Sequence, residues 1–181
     1  LEFMDLYLDY SFFDHLNARV GQWKIPFSRY RIGSFKKLTF VEWPVPVAYF
    51  GAERQAGLAF HNGYERPPRF EYEVGLFHGV NPRASTAIGL ARIHGESLPN
   101  PSDLVDPAPP ADFHPEIVAH LAYNDPSTKT ATDTDMSRGP LRVSAGLSMA
   151  WDLDPDRYRD LALRLSAEVL IKIRGFSAFG V

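Results

Sequence analysis

The residues of this sequence with the clearest chemical potential are basic side chains concentrated in one connection, residues 28–55. The connection holds five basic residues against two acidic ones, inside a chain of net charge −3. Arginine and lysine at a constriction lower the free energy of a passing anion, which is how anion pores select. The basic residues are Arg29, Arg31, Lys36, Lys37 and Arg54. The alternative interpretation is a solvated basic surface loop.

Patterns typical of enzymes and metal centres are weak. The chain has no cysteine, which excludes thiol catalysis and cysteine-bound zinc. The D-x-D-x-D run at 152–156 opens like a calcium loop, but Arg157 replaces the required glycine and Leu163 the required glutamate. The histidines lack metal-ligand spacing, and Glu71 and Glu73 point the same way on one strand. The sequence therefore predicts no enzyme, no cofactor and no metal.

Period-two alternation of apolar and polar residues indicates strands along most of the chain. Several predicted strands reach the roughly 9 to 11 residues that a tilted strand needs to cross a bilayer. No helix-period segment of useful length occurs. The pattern predicts an all-β fold, a segment of an antiparallel transmembrane β-barrel with about eight strands. Their predicted ranges are 4–12, 17–27, 56–63, 70–77, 116–124, 141–151, 161–173 and a last strand from 176.

The faces of these strands predict which side chains share a surface. The apolar phase changes within 17–27, which predicts a bulge near Gly21 and Gln22 and puts Arg19, Gln22 and Lys24 on one polar face. Aromatic residues near strand ends favour interfacial girdles, as in membrane barrels. The girdle residues are Tyr10, Phe12, Phe13, Trp23, Phe27, Trp151, Tyr158 and Phe176.

The connections between the strands alternate in length. Short turns at 13–16 and 64–68 contrast with long connections at 28–55 and 79–115, which is the asymmetry of outer-membrane barrels. The proline-rich stretch 79–115 is predicted as a long extracellular loop. Within it, 86–95 is either a strand or part of the loop, and we place it in the loop.

Specific residue blocks in this pattern resemble a known family. The blocks are RVGQWKIPFS at 19–28, LTFVE at 38–42, FGAERQAG at 50–57, YEVGLFHG at 72–79, LAYN at 121–124 and RGFS at 174–177. They are similar to the strand and loop motifs of the phosphate-selective porin O and P family of Gram-negative outer membranes. Trp43 stands where the family often has arginine.

The resemblance implies a channel for passive diffusion of small solutes, with anions such as phosphate as the expected cargo. It implies a sixteen-stranded barrel, a homotrimer in contact with outer-membrane lipid, and a third extracellular loop that narrows the lumen. Residues 1–181 are then expected to be a single barrel domain truncated at both ends, with 28–55 as the constriction loop. The net charge gives no indication of a nucleic-acid partner. The expected pore-lining residues are Arg19, Lys24, Arg29, Arg31, Lys36, Lys37 and Arg54.

A second function class fits the strand pattern alone. A soluble or periplasmic β-sandwich or jelly roll would bind carbohydrate through Trp23, Trp43 and Tyr49. That class predicts extraction without detergent and aromatic side chains that line a groove instead of a lipid belt.

Overall fold

The computed structural model describes residues 5–29, 54–63, 68–79, 113, 115–125, 135, 137–153 and 163–181. The all-β fold class and the number of strands are confirmed, and segment 86–95 lies outside the described residues. No helix in these ranges is long and apolar enough to cross a membrane. The strands are β1 Leu6–Phe13, β2 Leu16–Lys24, β3 Arg54–His61, β4 Phe70–His78, β5 Pro115–Asn124, β6 Arg142–Asp152, β7 Leu163–Ile173 and β8 Phe176–Gly180.

All eight strands belong to one antiparallel sheet in which each pairs with its neighbours in the chain. This order brings connections 14–15, 62–69, 125–141 and 174–175 to one end of the sheet, the turn end. Connections 25–53, 79–114 and 153–162 meet at the other, the loop end. Consecutive antiparallel strands of this kind are the architecture of a porin barrel segment. The two-sheet sandwich is wrong for the described strands.

The outer face of the sheet is apolar and exposed. Leu8 is 75% exposed and Leu165 71%, and Leu58, Leu121 and Leu147 behave alike on three other strands. In a protein surrounded by water, an uninterrupted apolar surface of this extent would be a liability. The described outer-face positions carry no carboxylate, and their cations are Lys24 and Arg54 at the loop end.

The inner face reverses the usual distribution, because its polar side chains are the buried ones. The strands alternate strictly, so the polar residues of adjacent strands meet in rows across this face. The buried polar members include Arg19, Gln55, His61, Glu73, Glu116, His120, Asn124, Arg142, Ser144, Ser148, Asp152, Arg164, Glu168 and Lys172.

Two predictions about β2 are wrong. The strand ends at Lys24 instead of residue 27, because the chain turns inward before Pro26, which has no N–H for a ladder. The bulge near Gly21 is absent, since Gly21 pairs in continuous register with Tyr7 and Gly57. The apolar phase changes because Trp23 is an apolar residue on the otherwise polar inner face.

Asp135 fastens the chain at the turn end. Its Oδ2 accepts the backbone N–H of Gly175 in the β7–β8 turn at 2.7 Å, while Oδ1 accepts bonds from Arg142 and Ser137. The bond from Gly175 holds the pKa of Asp135 below its ordinary value, and the bonds from Arg142 and Ser137 act in the same direction. One carboxylate thus ties the start of β6 to the β7–β8 turn.

Candidate functional site

The candidate site is the inner face, where charged side chains form compact clusters. The first joins β1, β2 and β3: both carboxylate oxygens of Asp9 lie 3.1 Å from Arg19 Nε, and His61 Nε2 lies 3.0 Å from Asp9 Oδ1. The Arg19 guanidinium also lies 3.9 Å from the centre of the Tyr7 ring. Arg19 is on the inner face as predicted, and its charge is opposed by Asp9 at contact distance.

The second cluster is centred on Glu116 of β5. One of its oxygens accepts a bond from Gln55 Nε2 at 2.8 Å, and the other is bonded by the Arg164 guanidinium. Glu116 is 1% exposed and Arg164 7%. A buried carboxylate needs such compensation, because the transfer of a charged group from water to a protein interior costs roughly several kcal/mol.

Polar contacts continue along β4 to β6 toward the turn end. Asn124 Nδ2 donates to Glu71 Oε2 at 2.9 Å, and Ser144 Oγ donates to the Asn124 side chain. His120 Nδ1 lies 2.8 Å from Ser148 Oγ. Among the described residues, no group of three or more His, Asp or Glu side chains could hold a metal ion.

A short segment, Ile25–Arg29, crosses the inner face after β2, and we call it the shelf. Its first four residues are buried, with Ile25 and Ser28 at 0% exposure and Phe27 at 2%. The N–H of Phe27 donates to the Ile25 carbonyl at 2.9 Å, which closes a tight turn. The chain therefore does not leave the sheet at the loop end but folds back over its inner surface.

Apolar packing holds the beginning of the shelf. The Trp23 ring lies 5.0 Å from the Phe77 ring, and Trp23 Nε1 donates to Glu73 Oε1 at 3.3 Å. Phe77 lies flat on the sheet over two glycines, since a Cβ on Gly57 or Gly75 would lie 2.5 or 2.7 Å from the Phe77 ring. The predicted interfacial girdle positions of Trp23 and Phe27 are wrong, because Trp23 is buried beside the shelf and Phe27 is buried within it.

The far end of the shelf reaches β7. The backbone N–H of Arg29 donates to Glu168, with both carboxylate oxygens at 3.1 Å. The Arg164 guanidinium lies 5.8 Å from the centre of the Phe27 ring. The positive charge of the Arg29 side chain interacts with the Glu71 carboxylate and the His120 imidazole. The shelf thus spans the inner face from β2 to β7.

The predicted pore-lining residues fall into three groups. Arg19 and Arg29 lie on the inner face. Lys24 and Arg54 pair in register at the loop end, where strand alternation puts them on the outer side with Val20 and Leu58, and Arg54 Nε donates to Asp5 at 2.9 Å. The shared face that we predicted for Arg19 and Lys24 is wrong. Arg31, Lys36 and Lys37 lie outside the described residues.

The sequence interpretation missed several inner residues as part of the site. Glu116, Arg164, Asp9 and Arg142 carry ion pairs there, and Gln55 bonds to Glu116. Alternation places each of them on the inner face, but the pairing partners are far apart in the chain. No sequence signal joined Gln55, Glu116 and Arg164 into one cluster.

Comparisons with known proteins point to one family. Residues 1–90 match the family model described as phosphate-selective porin O and P. This range includes β1 to β4 and the shelf. No curated protein and no solved structure gives a significant match.

Proposed function

The chain belongs, through residues 1–90, to the phosphate-selective porin O and P family, and we propose that it lines an anion-preferring diffusion channel. The family is one of outer-membrane porins, which are channels and not enzymes. The observation that supports the proposal best is the reversal of the two faces. An apolar outer surface suits lipid, and a polar inner surface suits a water-filled lumen.

The membrane setting of the proposal follows from the family. We place the chain in the outer membrane of a Gram-negative bacterium, with outer-membrane lipid against the apolar face. Further strands complete a barrel of sixteen, which assembles as a homotrimer. Residues 79–115 form an extracellular loop, and residues 1–181 are part of one barrel domain.

The constriction in the proposal is the connection 28–55. Its support is the direction of the shelf, which carries the chain across the inner face and brings Arg29 to β7. A connection that begins in this way extends into the lumen. It narrows the pore and limits the size of the solutes that diffuse through it.

Anion preference rests on the basic residues of this connection. Arg54 of this connection contacts Asp5, and Arg19 on β2 contacts Asp9. Each of these two positive charges is therefore largely offset by a carboxylate. The side chain of Arg29 acts on Glu71, which offsets part of its charge. The remaining basic residues of 28–55 are Arg31, Lys36 and Lys37, which exceed the acidic residues of the connection, Glu42 and Glu53, by one charge, and phosphate-like anions are the proposed cargo.

The test is the reversal potential of the full-length protein in planar bilayers under a salt gradient. The proposal predicts anion preference, and Lys36→Glu with Lys37→Glu shifts the reversal potential toward cations. Arg138→Glu with Arg174→Glu is the matched control, because it makes the same charge change at exposed turn-end positions. Cation preference of the unmodified channel, or equal shifts in both variants, would contradict the proposal.

A further inference from the structure

Glu168 is placed unusually for a carboxylate on the inner wall. It is 7% exposed, and its side chain lies over Gly146, where a Cβ would come within 2.9 Å of Glu168 Oε1. It pairs in register with Gly146 across β6 and β7. The absence of a side chain at residue 146 leaves the space in which this carboxylate lies flat against the sheet.

From this position Glu168 contacts the backbone of the shelf. Both of its oxygens lie 3.1 Å from the Arg29 N, at the point where the chain leaves the inner wall toward residue 30. Bonds from N–H groups to a carboxylate are charge-assisted and stronger than bonds between neutral groups. Burial strengthens them further, because little water competes.

Besides the local bond from the Phe27 N–H to the Ile25 carbonyl, Ile25 and Phe27 make contacts of a different kind. Ile25 and Phe27 pack in an apolar cluster with Trp23 and Phe77, which excludes water without fixing a direction. The Arg164 guanidinium beside Phe27 adds a cation–π contact. A hydrogen bond to a backbone N–H, by contrast, sets where the chain points.

We propose that Glu168 is a positioning residue that latches the start of connection 28–55 to β7 and thereby sets the width of the constriction. This inference rests on the proposed function for its consequence in conduction. The latch itself is a property of the fold. With Glu168 removed, Arg29 separates from β7 and Ser28 becomes accessible, while the apolar part of the shelf stays packed.

The absence of cysteine in the chain gives a direct test of the latch. A single cysteine at Ser28, which is fully buried, is labelled with a charged thiol reagent in the folded full-length protein in lipid vesicles. Loss of the charge-assisted bonds in Glu168→Ala is expected to raise the labelling rate roughly tenfold or more. Glu168→Gln keeps one acceptor oxygen and is expected to give an intermediate rate.

The matched control is Glu71→Gln, which removes the same charge from the same face. Glu71 accepts its bond from Asn124, and it attracts the Arg29 side chain instead of bonding the Arg29 N–H, so the Ser28→Cys labelling rate is expected to change much less than in Glu168→Ala. An unchanged rate in Glu168→Ala overturns the latch. An equal increase in Glu71→Gln also overturns it, because lost charge alone would then be the cause. A cysteine at Arg29, whose backbone N–H is retained, repeats the measurement if Ser28→Cys impairs folding.

Single-channel recording separates the latch from the proposed function. In Glu168→Ala we expect a larger and noisier open-channel current, and in Glu71→Gln a steady current of ordinary size. A steady current of unmodified size in Glu168→Ala contradicts the role in the constriction. Complete absence of channels in every variant contradicts the proposed function, while the labelling rates still decide whether Glu168 holds the shelf.

Discussion

The two faces of the sheet differ in which kind of side chain they bury, apolar or polar. On the outer face large apolar side chains such as Leu8 and Leu165 stay exposed, while on the inner face Glu116 and His120 are almost completely covered. A soluble sheet would have the opposite arrangement, because burial of apolar surface is its main driving force. The difference fits the proposed membrane setting, in which lipid would cover the apolar face.

The inner face is also more differentiated than a simple polar wall. Near the loop end it has an apolar cluster in which the shelf residues Ile25 and Phe27 join Trp23 and Phe77. Toward the turn end it is polar, with contacts such as Asn124 to Glu71. The cluster gives the shelf a packed base, and the charged residues around it are compensated by specific partners.

The largest effect is expected from uncoupling a buried ion pair on the inner face. Arg164→Ala leaves Glu116 buried without its cation, which should cost about 3 to 5 kcal/mol of unfolding free energy. The double variant Arg164→Ala with Glu116→Gln removes the uncompensated charge, and Gln55 can still donate to the new amide oxygen. Urea unfolding in lipid vesicles checks both variants. If the double variant is as unstable as the single one, the inner charges are not mutually compensated.

A somewhat smaller effect is expected from placing a charge on the outer face. Val169→Arg at the middle of β7 should cost about 2 to 4 kcal/mol in a bilayer, because the guanidinium would lie in hydrocarbon. Ser166→Arg on the inner face of the same strand is the control, with a small change in stability. Heat-modifiable gel mobility and urea titration of both proteins measure the difference. Equal losses would break the distinction between the two faces.

The smallest effect is expected at the turn end, which belongs to neither face. Because the folded-state pKa of Asp135 is lowered, its contribution to stability is present above the ordinary aspartate pKa of about 4. That contribution is lost as the pH falls through the lower folded-state value. Wild-type and Asp135→Asn proteins should therefore differ in unfolding free energy at pH 7 and converge in acid. A difference that grows toward low pH would reverse this sign.

The strands could be predicted from the sequence because alternation is a local property. β7 shows this best. The odd-numbered residues from Leu163 to Ile173 face outward, and Arg164, Glu168 and Lys172 face inward, as predicted. The eight strands follow from the same period-two pattern. The sheet order then follows from consecutive antiparallel pairing, whereas the register also depends on turn geometry, and the predicted bulge near Gly21 is wrong.

The shelf could not be predicted, because alternation does not say which apolar environment a residue meets. Trp23 and Phe27 satisfy the pattern of a lipid-facing girdle equally well, but they pack on Phe77 inside. The inner ion pairs depend on contacts between distant strands, such as Arg164 with Glu116. The basic residues Arg31, Lys36 and Lys37 remain a prediction.

The central claim, that the inner face lines a water-filled channel, is tested most directly by two adjacent cysteines on β7. Ser166→Cys lies on the inner face and Ala167→Cys on the outer one, and each is exposed to a charged thiol reagent during single-channel recording of the full-length protein. The account predicts a stepwise fall in current for Ser166→Cys and a constant current for Ala167→Cys. A fall for Ala167→Cys alone, or no response at either position, would contradict it.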